Sequence, residues 1–202
     1  MNLFLSSTLE GSVDLLIKEY NLIPHGTPVV YIPTAGNCYT PPRNPSERGS
    51  YQCLIERSFA VTLCDLETDT PDKMRMKMKG AKVIVGAGGN SFYLLYHMRQ
   101  SGFDQLLPQL LDDGLIYVGS SAGSCVCSPD ISYVKDEDDP SLAPELKDYA
   151  ALHLVDFEIY PHRTRELPPT PKAIFLRDNQ AIVVNDTGYR IVSSTSASAP
   201  VK

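Results

Sequence analysis

Residues 115–123 of this 202-residue chain read Leu-Ile-Tyr-Val-Gly-Ser-Ser-Ala-Gly, a G-x-S-x-G motif directly after an apolar run. A serine at the centre of that motif, here Ser121, sits on a tight strand-to-helix turn that lifts its hydroxyl above a sheet. The turn is sterically crowded, and Gly119, Ala122 and Gly123 supply the small neighbours it needs. The chemistry this suits is nucleophilic attack on a carbonyl, with the Ala122 amide facing the oxyanion that forms. Ser120 and Ser124 are weaker candidates, because neither stands central between two glycines. A glycine- and serine-rich strand end, or a phosphate-binding turn, would use the same residues, and the motif alone leaves those readings open.

Residues 83–91, Val-Ile-Val-Gly-Ala-Gly-Gly-Asn-Ser, form a second strand-to-glycine turn. Bare backbone there approaches a ligand closely and offers amides, so Gly88 or Gly89 is a candidate second oxyanion donor. A dinucleotide reading is weak, because Phe92 stands where the last glycine of G-x-G-x-x-G would be. A purely structural turn is the plain alternative.

A serine nucleophile needs a base, and the chain has four histidines. His25 lies in a turn beside Gly26, His97 inside an amphipathic helix, and His153 at the start of an apolar run. His162 follows Phe157-Glu158-Ile159-Tyr160 and Pro161, at a strand end where a side chain can point into a site. An acid must then hold the imidazole tautomer. Asp178 begins a turn after a short strand, and Asp136 lies in the charged run Lys135–Asp139. The residues leave both open, as a hairpin-turn acid or a solvated charge would look the same.

Short apolar runs alternating with helical spacing must position these groups. Strands are expected at Leu3–Leu5, Pro28–Ile32, Ala60–Leu66, Lys82–Gly86 and Leu115–Gly119. Helices are expected at Ser12–Tyr20, Pro45–Phe59, Asp72–Lys79, Ser91–Gln100 and Phe103–Leu111. That alternation predicts βαβ units, a parallel sheet and helices on both faces. After Cys127 the pattern changes: a solvated acidic loop, a strand over Leu152–Tyr160, a proline-rich loop over Arg163–Lys172, and short strands near Phe175, Ala181–Val184 and Tyr189–Val192 joined by turns. Residues 194–199 read as a frayed tail.

Composition is that of an ordinary globular chain, with 43% hydrophobic and 21% charged residues, and the length suits one domain over residues 1–202. A net charge of −6 without clustered Lys and Arg gives no sign of nucleic-acid binding. Five scattered cysteines read as buried thiols rather than a disulfide framework or a zinc site. The first residues lack a basic segment and a long apolar run, so no signal peptide or membrane span is expected and a cytoplasmic protein is.

Taken together, Asn2–Ser7, Tyr31–Ala35, Val85–Phe92, Tyr117–Ser124 and Tyr160–His162 resemble the S51 serine peptidases, the group of aspartyl dipeptidase and cyanophycinase. The resemblance implies a three-layer α/β sandwich with a mostly parallel central sheet, like class I glutamine amidotransferases, with serine in place of cysteine. It implies Ser121 as nucleophile, His162 as general base and Asp178 as the acid, in a position where dipeptidase members carry glutamate. Asp136, fifteen residues after the serine, is the alternative acid. Gly88, Gly89 and Ala122 form the expected oxyanion hole, and Asn90, Arg163 and Arg165 the expected substrate contacts. The segment after His162 is shorter than in the dipeptidase, which separates this chain from strict aspartyl specificity. The implied activity is hydrolysis of small peptides through an acyl-enzyme by a monomer or homodimer, with no cofactor or metal. An esterase-like hydrolase with Ser121, Asp136 and His162 in that order, and a binding homologue without turnover, are the rival readings.

Overall fold

The structure is a computed structural model and describes residues 1–164 and 170–194. Its centre is a seven-stranded sheet. In chain order the strands are β1 (Asn2–Ser6), β2 (Pro28–Ile32), β3 (Ala60–Leu63), β4 (Val83–Gly86), β5 (Ile116–Ser120), and, after a separate pair, β8 (Gln180–Asn185) and β9 (Gly188–Ser193). The spatial order is β3-β2-β4-β5-β1-β8-β9, with β1 to β5 parallel and β8 and β9 antiparallel at one edge. This is the mostly parallel α/β sheet that the sequence predicts.

Alternate side chains along each central strand enter two separate apolar layers, as the two-residue period of a strand requires. Leu3, Leu5, Val30, Ile32, Ile84 and Tyr117 pack on one face under α3 (Pro71–Met78), α4 (Ser91–Ser101), α5 (Phe103–Asp112) and α6 (Ala122–Cys125). Phe4, Val29, Tyr31, Val83, Val85 and Val118 pack on the other under α1 (Val13–Glu19) and α2 (Gly49–Glu56). The result is three layers. Sequence signals set the helix ends: Asn90 caps α4 by accepting from the Tyr93 amide at 2.9 Å, and Gly102 at φ 74° stops it.

Three local expectations are corrected. The helix expected over Pro45–Phe59 is broken: Pro45–Glu47 is a single 3-10 turn, Arg48 is extended (φ −84°, ψ 134°), and only then does α2 begin. The strand expected over Leu152–Tyr160 is confined to β6 (Glu158–Tyr160), which pairs in parallel with β7 (Ala173–Phe175). Its first half is irregular because the amides of Leu152, His153, Leu154 and Val155 donate to carbonyls of Val126, Ser128 and Cys127 at 2.9–3.2 Å. They satisfy the end of α6 and its following turn instead of a neighbouring strand. The acidic run is also not wholly solvated: Asp138 accepts from the Ser91 amide at 2.8 Å at the start of α4. Burial pushes its carboxyl above the usual range, against that hydrogen bond. Residues 165–169 of the proline-rich loop and 195–199 of the expected tail lie outside the described residues.

All five cysteines are free, and all but Cys38 are buried. Among the described residues no helix is long and apolar enough to cross a membrane.

Candidate active site

Ser121 begins where β5 ends, between β4 and β1 in the middle of the sheet. Its backbone is held in an unusual conformation (φ 52°, ψ −112°), a strain of order 1–3 kcal/mol that only a tightly determined turn sustains. Close packing supplies that determination. A Cβ on Gly123 would lie 2.0 Å from the Gly86 carbonyl oxygen, and one on Gly119 would lie 2.6 Å from the Gly123 oxygen. The Ser121 amide donates to the Ser6 carbonyl at 3.1 Å, tying the turn to the end of β1. The adjacent serines are committed elsewhere. Ser120 Oγ accepts from the Leu9 amide at 3.2 Å, and the fully buried Ser124 Oγ donates to the Ser6 carbonyl at 2.8 Å.

His162 reaches Ser121 from the far end of the β6–β7 ladder. Beyond the paired strands, the Leu176 amide donates to the Tyr160 carbonyl at 2.8 Å and the Arg163 amide to the Leu176 carbonyl at 2.9 Å. This brings residues 160–163 alongside 176–178. His162 takes a left-handed backbone (φ 60°), and its Nε2 lies 3.0 Å from Ser121 Oγ. Its Nδ1 lies 2.8 Å from Asp178 Oδ1. The imidazole therefore bridges the hydroxyl and the carboxylate, an arrangement able to move a proton off Ser121 and to stabilise the resulting imidazolium. Both His162 and Asp178 side chains are about half exposed (51% and 57%). Asp136 is exposed and has no hydrogen bond to the ring, whose Nδ1 faces Asp178.

Ser7, which the sequence reading passed over, locks this arrangement. It is fully buried; its hydroxyl donates to Asp178 Oδ1 at 2.7 Å and accepts from the His162 amide at 2.7 Å. Thr8 Oγ1 adds a bond to the Asp178 carbonyl at 2.8 Å. The only hint in the sequence was their place at the C-terminal end of a parallel strand, where such sheets bind ligands.

Gly88 faces the serine: a Cβ there would sit 3.3 Å from Ser121 Cβ. Gly89 has φ 145°, and a Cβ would collide with the Ala35 carbonyl at 2.1 Å, so the turn needs glycine. Among the described residues, nothing accepts a hydrogen bond from the amides of Gly88, Gly89 or Ala122. The three expected substrate contacts fare differently. Asn90 is 1% exposed, and its amide is spent on Tyr93 and on the Asp139 carbonyl at 2.9 Å; it is a helix cap, not a cleft residue. Arg163 pairs with Glu137 and lies over the Tyr160 ring at 5.2 Å, outside the cleft lining. Arg165 is outside the described residues.

The cleft beside Ser121 has a volume of about 270 Å³, and its guanidinium groups are instead those of Arg43 and Arg48. The break before α2 places Arg48 there. Among the described residues, no cluster of His, Cys, Asp or Glu is arranged to hold a metal ion.

Comparison with known proteins decides the family. The model of peptidase family S51 matches residues 6–192. The chain belongs to peptidase family S51. As a member of that family it is a peptide-bond hydrolase of the serine type. It is 35% identical over 167 residues to an uncharacterized peptidase of Listeria innocua, covering 80% of this chain and 76% of that protein. A peptidase of Pasteurella multocida, also uncharacterized, is 32% identical over 162 residues (80% and 77%). Peptidase E of Escherichia coli is 32% identical over 91 residues, 45% of this chain and 38% of that enzyme. In structure, the S51 chain is similar to a Listeria monocytogenes protein provisionally described as a peptidase E. The TM-score is 0.86 at 26% identity, over 96% of this chain and 98% of that one.

Proposed function

We propose that this S51 peptidase cleaves small peptides through an acyl-enzyme, with Ser121 as nucleophile, His162 as general base and Asp178 as the acid that orients it. The observation that carries the reading is the continuous Ser121–His162–Asp178 relay, with contacts of 3.0 and 2.8 Å on opposite nitrogens of one ring. His162 accepts the Ser121 proton as Oγ bonds to the scissile carbonyl carbon. The carbonyl oxygen, now negative, is held by the amides of Gly88 or Gly89 and Ala122, each donor being worth roughly 3–4 kcal/mol in such sites. His162 then returns the proton to the leaving amine as the C–N bond breaks. Water, deprotonated by the same ring, releases the acid product and restores the serine. A cleft of about 270 Å³ suits a peptide of two or three residues better than an extended chain. We place the reaction in the cytoplasm.

Assays of wild-type protein and Ser121→Ala on a dipeptide library test this. Hydrolysis in the wild type should be abolished in the variant while its unfolding curve is unchanged. Turnover surviving in Ser121→Ala would refute the assignment. Ester hydrolysis with no peptide hydrolysis would favour the esterase-like reading.

A further inference from the structure

Arg48 is out of balance with its surroundings. Its Nη1 donates to the Pro33 carbonyl at 3.0 Å and to the Gly88 carbonyl at 3.4 Å, but Nε and Nη2 are buried without a hydrogen-bond partner. The absence of a side chain at Gly36 is what admits the group, since a Cβ there would stand 1.4 Å from Nη2. The neighbouring Tyr31 hydroxyl bonds Ser50 at 2.7 Å and also feels the Arg48 cation, which acts against the rise that burial imposes on the phenol, but a neutral phenol supplies no counter-charge. Glu10 lines the same cleft, yet among the described residues no carboxylate comes within 4.0 Å of the Arg48 or Arg43 guanidinium. Arg43 lies over the Tyr39 ring at 4.0 Å instead. Among the described residues, two cations beside the candidate nucleophile thus have no carboxylate within 4.0 Å. Keeping donors of a guanidinium buried and unpaired costs free energy, and a ligand that supplies the missing acceptor recovers it.

We propose that Arg48, supported by Arg43, is the subsite that takes a carboxylate of the substrate; this rests on reading the Ser121 cleft as the peptide-cleaving site. The planar fork matches two carboxylate oxygens. Its anchor on the Gly88 carbonyl places the bound anion next to the turn that faces Ser121. Arg48 replaces Arg163 in the role expected from the sequence, since Arg163 is already neutralised by Glu137. The carboxylate is either the free C-terminus of a dipeptide or an acidic side chain on its first residue.

The test is calorimetric binding to Ser121→Ala, which holds substrate without turning it over, alone and combined with Arg48→Gln. The ligands are alanyl-leucine, its amide, aspartyl-leucine amide and asparaginyl-leucine amide. Binding should be about tenfold or more tighter for whichever carboxylate-bearing ligand is read, against its neutral partner. That preference should shrink to within about twofold in Arg48→Gln. The first pair of ligands reports a C-terminal carboxylate, and the second a side-chain carboxylate. Should the glutamine variant not fold, Arg48→Lys, which keeps the charge without the fork, should lose most of the preference. A preference that survives loss of Arg48, or no carboxylate preference at all, overturns the proposal. Wild-type hydrolysis of all four ligands with no such preference would sink the subsite and leave the peptidase reading standing. Carboxylate-dependent binding without any hydrolysis would do the reverse.

Discussion

Ser121 follows directly on β5 in the middle of the sheet, with β4 on one side and β1 on the other, whereas His162 and Asp178 stand just past the ends of a two-stranded ladder. The first region is fixed by backbone pressed against backbone: Gly123 on Gly86, Gly119 on Gly123, Gly89 on Ala35. The second is fixed by a few polar bonds that converge on Ser7 and Thr8, and its side chains are half exposed. A nucleophile that must hold a strained φ needs surroundings that cannot relax. A base and an acid need only direction, which hydrogen bonds supply, and solvent contact leaves room for proton exchange. The contrast predicts that disturbing the first region damages the fold, and that disturbing the second damages the reaction.

Gly123→Ala should produce the largest loss of stability, about 3 kcal/mol or more in chemical denaturation, because neither backbone that meets the new methyl can yield. A loss under about 0.5 kcal/mol would show that the nucleophile turn is not rigid. Asp178→Asn should lower kcat/KM by about 10²- to 10⁴-fold, with a melting temperature close to wild type, by leaving the wrong imidazole tautomer. Asp136→Asn is expected to leave it within about threefold; the opposite ranking would move the acid to the charged loop. Ser7→Ala removes the donor to Asp178 and the acceptor of the His162 amide. It should cut kcat about tenfold with little change in KM, and cost about 1–3 kcal/mol of stability for the unmet buried amide.

The smallest effect concerns Asp138, which joins the loop region to the first turn of α4. Burial raises its pKa above the ordinary carboxylate value, so the folded protein keeps the proton to higher pH than the unfolded chain does. Its contribution to stability is therefore greatest below the unfolded pKa and declines as pH rises through the raised one. Asp138→Asn should flatten the stability profile just above the ordinary carboxylate range in urea titrations. A profile of unchanged slope would mean that other carboxylates set it.

Most of the sheet was legible because its strands are buried on both faces and read as short β-branched runs, such as Pro28–Ile32 and Val83–Gly86. The nucleophile turn was legible because glycine spacing is itself the steric requirement. What followed Cys127 was not. Leu152–Val155 has a strand's composition but spends its amides on α6 and the turn after it, a use that no local pattern records. Ser7 was hidden because a buried serine near a strand end looks the same whether or not an aspartate from a distant turn meets it. No pattern in the sequence marks Arg48, and the resemblance points instead to the segment adjacent to His162, where Arg163 stands. Adjacency does not show that Glu137 is its partner, nor that an extended residue before α2 reaches the cleft.

The measurement that bears most directly on the relay is the rate and site of fluorophosphonate labelling, read by tandem mass spectrometry in the wild type and in His162→Ala. The account predicts a single adduct on Ser121, formed at least about 10²-fold more slowly without His162. An adduct on Ser120 or Ser124, or labelling of Ser121 at an equal rate in both proteins, would contradict it.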